Sequence, residues 1–403
     1  MISSNDRFAG LSTENAPGQE SRQAVGDIGT LMRGDKLDGR FVDFSHGDVD
    51  AFAPTPGSQE VFSEAVQAGG KQAYTEYRGS GDIRGELAEK LAAFTRASVL
   101  AETGTIITPG TQGALFLAVA AVVSPGDKVA IVQPDYFANR KLVRFFGGQI
   151  LPVTLAYRSG TAEAGLDLGQ LKASFEAGAK VFLFSNPNNP TGAVYSASEI
   201  RAIADVATQY DVTVIADQLY SRLLYAGETY THIRACGLPE DRVITIMGPS
   251  KTESLSGYRV GVAFGSPSVV ERMEKLQAIV SLRAAGYNQA ILRTWFSEPA
   301  GWLQERIRLH QAIRDDLTAV FREGALETRA PQAGSYLFPT LPPLVVGDRE
   351  FVRLLRHQAG VIVTPGEEFG PHPNSVRLNF SQDHAAAIAA GRRIVAMVDR
   401  YRQ

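Results

Sequence analysis

The residues able to do chemistry in this chain gather at the ends of short apolar runs. Asp217 ends VTVIAD, Ser250-Lys251 follows RVITIM, Arg259 opens RVGVAFG, Arg377 lies in SVRLNFS, and Asn186 to Gly192 reads NPNNPTG directly after KVFLFS. Each has a plainer reading when taken alone. The Asn/Pro stretch is a turn, a lone lysine is a solvated surface residue, and an aspartate at a strand end caps a helix. Together they point to more. An amine beside a cation or in a desolvated pocket loses its proton and attacks a carbonyl, and an arginine pairs two-pronged with phosphate or carboxylate. In SVRLNFS, alternation puts Val376, Leu378 and Phe380 on one face and Arg377, Asn379 and Ser381 on the other, which gives Arg377 a pocket-facing direction.

The elements that must position these residues alternate along the chain. Strand-like runs at 128 to 133, 180 to 185, 212 to 217, 242 to 247 and 259 to 265 are separated by helical patterns such as Gln112 to Val123, Ala138 to Phe146 and Ser196 to Tyr210, the last opening S-A-S-E as an N-cap. That order implies a mainly parallel sheet wrapped by helices, with functional residues at the strand ends. After about residue 285 long charged helices take over, Trp302 to Phe321 and His384 to Arg402, with SYLFP and VRLNFS as short strands between them. This reads as a smaller α+β domain completed by the polar N-terminal segment. No internal repeat, low-complexity tract or flexible linker is visible in the sequence.

Taken with Asp217 and Tyr220, these stretches resemble the class I/II aminotransferases of pyridoxal 5'-phosphate (PLP) fold type I. The order NPxNPTG, D-x-x-Y, S-K-x7-R and a C-terminal V-R is the family's order, and related segments run from about Gly47 to Ser381. The resemblance implies an α/β fold in which a large domain, built on a mainly parallel seven-stranded sheet flanked by helices, carries a smaller α+β domain. The expected division is an N-terminal segment, 1–45, packing with the small domain, a large PLP-binding domain, 46–285, and a small C-terminal domain, 286–403. It implies PLP as cofactor, an α-amino acid and a 2-oxo acid as substrates in a ping-pong exchange, and a homodimer with shared sites.

A role follows from the resemblance for each matching residue. Lys251 would hold the cofactor as a Schiff base and then carry the proton between substrate and cofactor carbons. Asp217 would face the pyridine nitrogen and keep the ring protonated. Tyr220 and Asn189 match the residues that hydrogen-bond the phenolic oxygen, and Tyr136, in Q-P-D-Y-F, matches the aromatic that stacks on the ring. For the phosphate, Gly110, Thr111 and Gln112 offer free N–H groups at a helix start, Arg259 offers a guanidinium, and Ser250 and Tyr74 offer hydroxyls. In the family that tyrosine crosses from the neighbouring subunit. Arg377 matches the arginine that clamps the substrate α-carboxylate, with Asn189 and the amide near Gly47 assisting.

Several positions depart from the pattern. Gly248 stands where the family commonly has a serine, Glu253 where an apolar or aromatic residue is usual, and Gln218 where Glu is common. Arg283 lies about where dicarboxylate-specific relatives bind the side-chain carboxylate, against a plain surface role. Arg78, Arg222, His46 and Glu368 are further candidates to line the entrance. Other PLP chemistry on the same scaffold, such as β-elimination, racemisation or decarboxylation, is the alternative function; a ligand-sensing regulator is less expected, since such proteins carry a basic N-terminal DNA-binding module and residues 1–45 are short and not notably basic.

Composition narrows the partners. With 40 basic and 43 acidic side chains, a net charge of −3 offers no broad attraction to nucleic acid or anionic membrane. One cysteine, Cys236, allows neither an internal disulfide nor a multi-cysteine metal site, and the six histidines show no close ligand spacing, so no metal is expected. The longest apolar stretch, Ala114 to Val123, is too short for a membrane helix. Residues 1 to 24 lack the apolar core of a secretory signal, and the cytoplasm is the expected location.

Overall fold

The computed structural model describes residues 8–9, 11, 18–19, 26–47, 51–159 and 163–403. Strand β1 (Val42–Asp43) belongs to a small two-stranded pair, whereas the next seven strands form one sheet. These are β2 (Thr105–Pro109), β3 (Lys128–Gln133), β4 (Gln149–Thr154), β5 (Ala179–Ser185), β6 (Thr213–Asp217), β7 (Val243–Met247) and β8 (Val260–Gly265), in the order β2-β8-β7-β6-β5-β3-β4. Strands β7, β6, β5, β3 and β4 run parallel, and β8 is antiparallel to both its neighbours. The central strands carry unbroken apolar runs because helices cover both faces, leaving no solvent side to demand alternation.

Helices α1 (Ser58–Ala68), α2 (Gly81–Thr95), α3 (Gly110–Val122), α4 (Phe137–Phe145), α5 (Leu168–Glu176), α6 (Ala197–Gln209) and α7 (Pro267–Val280) connect or flank the strands. The S-A-S-E reading holds: Ser196 caps α6 and Glu199 closes the capping box. The Glu199 carboxylate also accepts the N–H groups of Ala164, Gly165 and Leu166, which ties the loop before α5 to the start of α6. Strand β4 is absent from the sequence reading for a physical reason. It pairs with β3 alone, its QILPVT pattern is half exposed, and Pro152 is tolerated because an edge strand needs no second row of N–H donors.

Strands β9 (Tyr336–Leu337), β10 (Val361–Ile362), β11 (Thr364–Pro365) and β12 (Val376–Asn379) join α8 (Trp302–Glu323), α9 (Asp348–Leu354) and α10 (His384–Tyr401) around a separate core. Leu317, Phe321, Phe351, Ile394 and Met397 pack there with Val42 and Phe44, and β1 pairs in parallel with β10, Val42 opposite Val361. Among the described residues no helix is long and apolar enough to cross a membrane, and no cluster of three or more His, Cys, Asp or Glu is set to hold a metal.

Candidate active site

The parallel strands deliver their last residues to one edge of the sheet, where a cavity of about 230 Å³ opens between the sheet and β12. Ser185 and Asn189 reach it from β5, Asp217 and Tyr220 from β6, Ser250 and Lys251 from beyond β7, and Arg377 from β12. Lys251 also borders a second cavity of about 270 Å³ that contains Gly47, His46 and Ser381. The lysine therefore stands between the two spaces. Its amine makes no hydrogen bond or ion pair with the described residues.

One end of the first cavity is built for an anion. Helix α3 starts at Gly110 with no side-chain cap, so its first N–H groups remain available, and Thr111 and Gln112 line the space. Gly110 has φ +73°, and a Cβ there would lie 2.5 Å from the Arg259 guanidinium, so only glycine lets the arginine lie against the helix start. Arg259 is itself left-handed, at φ 53°, with Nη1 donating to Ser256 O at 3.0 Å. Ser250 Oγ is buried without a hydrogen-bond partner among the described residues. Gly248 fits the same crowding: a Cβ there would meet the Thr111 methyl at 2.8 Å, so a serine needs Thr111 to shift.

The middle is aromatic and acidic. Tyr136 lines the cavity and its hydroxyl donates to Gln112 Oε1 at 2.9 Å, a contact that ties the candidate ring-stacking residue to the anion end. Asp217 accepts one N–H, from Leu219 at 3.1 Å, and burial lifts its carboxyl to about 6. Tyr220 donates to the Tyr336 hydroxyl at 2.7 Å. Tyr336 was legible only as part of a strand, yet it lines the cavity and its ring lies 4.4 Å from the Arg377 guanidinium. Asp135 was also missed. It accepts the N–H of Tyr136 at 2.7 Å and of Ser185 at 3.0 Å and bonds the Ser185 hydroxyl, which in turn accepts the Asn189 N–H at 3.1 Å. Burial raises Asp135 to about 7. Its sequence signal was its place in Q-P-D-Y-F, one residue from Tyr136.

At the far end Arg377 is 2% exposed. Its Nη1 donates to Asn189 Oδ1 at 3.3 Å and its Nη2 to Ser45 O at 2.9 Å, while Tyr336 and Phe369 flank the plane. No carboxylate among the described residues pairs with it, and its Nε is unpartnered. A buried guanidinium held only by neutral oxygens is short of an anion.

Other candidates lie elsewhere. Tyr74 is 81% exposed and does not reach the chain's own cavity. Arg283 stacks on Tyr74 and Tyr77 and donates to Thr75 O, also away from it. Of the four proposed entrance residues only His46 lines the cavities; Arg78 pairs with Glu274, Glu368 with Lys141 at 2.8 Å, and Arg222 with both Glu253 and Glu298. These three are satisfied by internal ion pairs, which draws them away from the entrance. Glu253 is buried for the same reason, as the partner of Arg222, and burial raises it to about 7.

The anion end, the lone carboxylate, the flanking tyrosine and the unpaired amine fit PLP, whose phosphate, ring nitrogen and aldehyde need these groups. Comparison with known proteins agrees. The family described as "Aminotransferase class I and II" matches residues 40–392. The chain belongs to this family and is a PLP-dependent enzyme that transfers the amino group of an amino acid to an oxo acid. It is similar to a solved aspartate aminotransferase from Rhodobacter sphaeroides, 63% identical, TM-score 0.96, covering 100% of both chains. It also resembles the aspartate aminotransferase of Sulfolobus acidocaldarius, 27% identical over 85% of this chain and 86% of that one. The aspartate/prephenate aminotransferase of Thermus thermophilus is 30% identical over 81% and 83%.

Proposed function

We propose that the amino donor is an acidic amino acid, aspartate foremost, and that the enzyme works as a cytoplasmic homodimer with shared sites. Arg377, a buried cation with no anion among the described residues and lining the same cavity as Lys251, carries the reading of a carboxylate-bearing substrate, and the acidic side chain is supported by the 63% identity to an aspartate aminotransferase. Bound here, PLP supplies an aldehyde that accepts the amino group and a protonated ring that draws electrons from the substrate. Lys251 would hold the cofactor through its aldehyde carbon, and its amine would move the proton at the substrate Cα as general base. Asp217 would keep the ring nitrogen protonated, and the start of α3, with Ser250 and Arg259, would hold the phosphate. Tyr136 would pack on the ring, Tyr220 and Asn189 would hydrogen-bond its phenolic oxygen, and Arg377 would take the α-carboxylate with Asn189 and the Gly47 amide.

In this reading 46–285 is the large domain, 286–403 the small one, and 1–45 packs with the latter. The parallel pairing of Val42 with Val361 supports the last point. An apolar face supports the dimer: Tyr74, Ile279, Val280 and Leu282 are 81%, 82%, 57% and 52% exposed. Because Arg283 stacks on Tyr74, a second copy that delivers Tyr74 to the cavity delivers Arg283 with it, a cation for the second carboxylate. One free cysteine, Cys236, is in keeping with a reducing compartment.

The test is the absorption spectrum of the PLP-loaded protein during addition of single amino acids, with Lys251→Ala as control. Aspartate converts the visible band to a near-ultraviolet one with stoichiometric 2-oxo acid, and an added 2-oxo acid restores it. If a monocarboxylic amino acid reacts faster than aspartate, the acidic-donor reading fails.

A further inference from the structure

The turn after β1 carries two pieces of the site, the Ser45 carbonyl that receives Arg377 and the Gly47 backbone, and most of its carbonyls are fixed from outside β1. The fixing comes from the segment after β12. Gln382, 6% exposed, donates its side-chain N–H groups to Asp43 O at 2.9 Å and His46 O at 2.6 Å, with Asn379 O a longer neighbour at 3.3 Å. Those two carbonyls stand on either side of Ser45. The Asn379 N–H donates to Phe44 O at 2.7 Å, so three carbonyls of the turn are held by one segment while the fourth, Ser45 O, is left to accept Arg377 Nη2.

Two further contacts give the turn its shape. The Asp43 carboxylate accepts the Ser45 N–H at 2.8 Å and faces His46 Nε2 at 3.4 Å, which closes the turn on the side away from Gln382. Gly47 packs on Ser381, where a Cβ would lie 3.4 Å from the Ser381 Cβ. Ser381 is in turn held by His310. The imidazole Nδ1 donates to Arg306 O at 2.8 Å, so Nε2 accepts the Ser381 hydroxyl at 3.0 Å, and burial lowers the ring to about 4, which keeps it a neutral acceptor.

We infer that Gln382 is a positioning residue for substrate recognition: it pins the Asp43–Gly47 turn so that Ser45 aims Arg377 at the incoming carboxylate. Glutamine is the side chain that does this. It brings two donors and no charge to a buried cluster of carbonyls; an apolar residue would orphan them, and a glutamate would set acceptor against acceptor. The inference rests on Arg377 being the carboxylate anchor.

The experiment uses PLP-loaded protein and a non-reacting dicarboxylate, maleate, whose binding is followed through the cofactor absorption band. Gln382→Met keeps the length and removes the donors. Its dissociation constant for maleate and its KM for the amino acid rise roughly tenfold, as expected for one or two lost hydrogen bonds, while kcat and the affinity for PLP stay within about twofold. Gln382→Asn, which keeps the amide one methylene short, falls between, and it is read by the same criteria if the methionine variant does not fold. Arg377→Ala is the reference. If it loses maleate while Gln382→Met binds as wild type, the positioning role is wrong; if Arg377→Ala also binds maleate normally, the anchor reading is what fails. Equal losses of PLP and maleate in Gln382→Met would make the residue a structural prop and overturn the inference.

Discussion

Asp217 offers the sharpest test of how the site works, because its charge is poorly satisfied by the protein alone. Burial raises its carboxyl from 3.8 to about 6, and the only donor shown to reach it is the Leu219 N–H. That rise corresponds to roughly 3 kcal/mol, a ceiling because the carboxylate also borders the cavity. A carboxyl whose folded pKa lies above its unfolded one favours the protonated native state. The cost is therefore absent below about pH 4, grows as pH rises through 4 to 6, and is complete above about 6. Asp217→Asn keeps the acceptor oxygen and removes the charge. In the cofactor-free protein the variant should match wild type near pH 4 and exceed it by up to ~3 kcal/mol at pH 7.5. Part of that gain belongs to Asp135, which the Asp217 charge pushes upward. Adding PLP should reverse the order, since a protonated ring nitrogen compensates the aspartate and not the asparagine. Urea unfolding of both proteins, with and without PLP, across pH 4 to 8 measures this. Parallel pH profiles for the two cofactor-free proteins would refute the reasoning.

Three other outcomes are expected. Gly248→Ser drives a Cβ against the Thr111 methyl at 2.8 Å and should weaken PLP retention with a loss of stability of about 1–3 kcal/mol; adding Thr111→Ser should restore both, as read by PLP titration and thermal melting. Glu368→Gln removes the carboxylate of the buried pair with Lys141 and should cost about 1.5–3 kcal/mol of stability, as for the loss of a charged hydrogen bond, while kcat/KM is unchanged, because neither residue lines the cavity. Mixing inactive Lys251→Ala with an impaired Tyr74→Ala protein should regain activity once subunits exchange, since the mixed dimer holds one site with both native residues; no regain would argue against shared sites.

Much of the fold was legible because its sheet is buried on both faces and so writes unbroken apolar runs. Strand β3 falls where KVAIVQ does, and β5 to β8 lie within a residue of the expected runs. The edge strand β4 was not legible: half exposed and interrupted by Pro152, it carries neither signature. At the site, motif residues such as Asn189, Asp217, Lys251 and Arg377 converge on one cavity. The roles of Tyr336, Asp135 and Gln382 were not legible because each acts on a residue far away in sequence, Tyr336 on Tyr220 and Arg377, Asp135 on Ser185, Gln382 on Asp43 and His46.

The charged residues mistaken for entrance candidates show what the sequence lacks. Arg222 and Arg377 are both arginines beside apolar segments, and both are largely buried. Arg222 meets Glu253 and Glu298, so its charge is spent inside the protein. Among the described residues Arg377 bonds only the oxygens of Asn189 and Ser45, Asp217 only an N–H, and Ser250 Oγ nothing. Burial of such groups is unfavourable unless another molecule completes them. Internal pairing thus separates structural from functional charge: the structural charges cancel one another, while those of the site match the carboxylate, ring nitrogen and phosphate of the molecules it takes up.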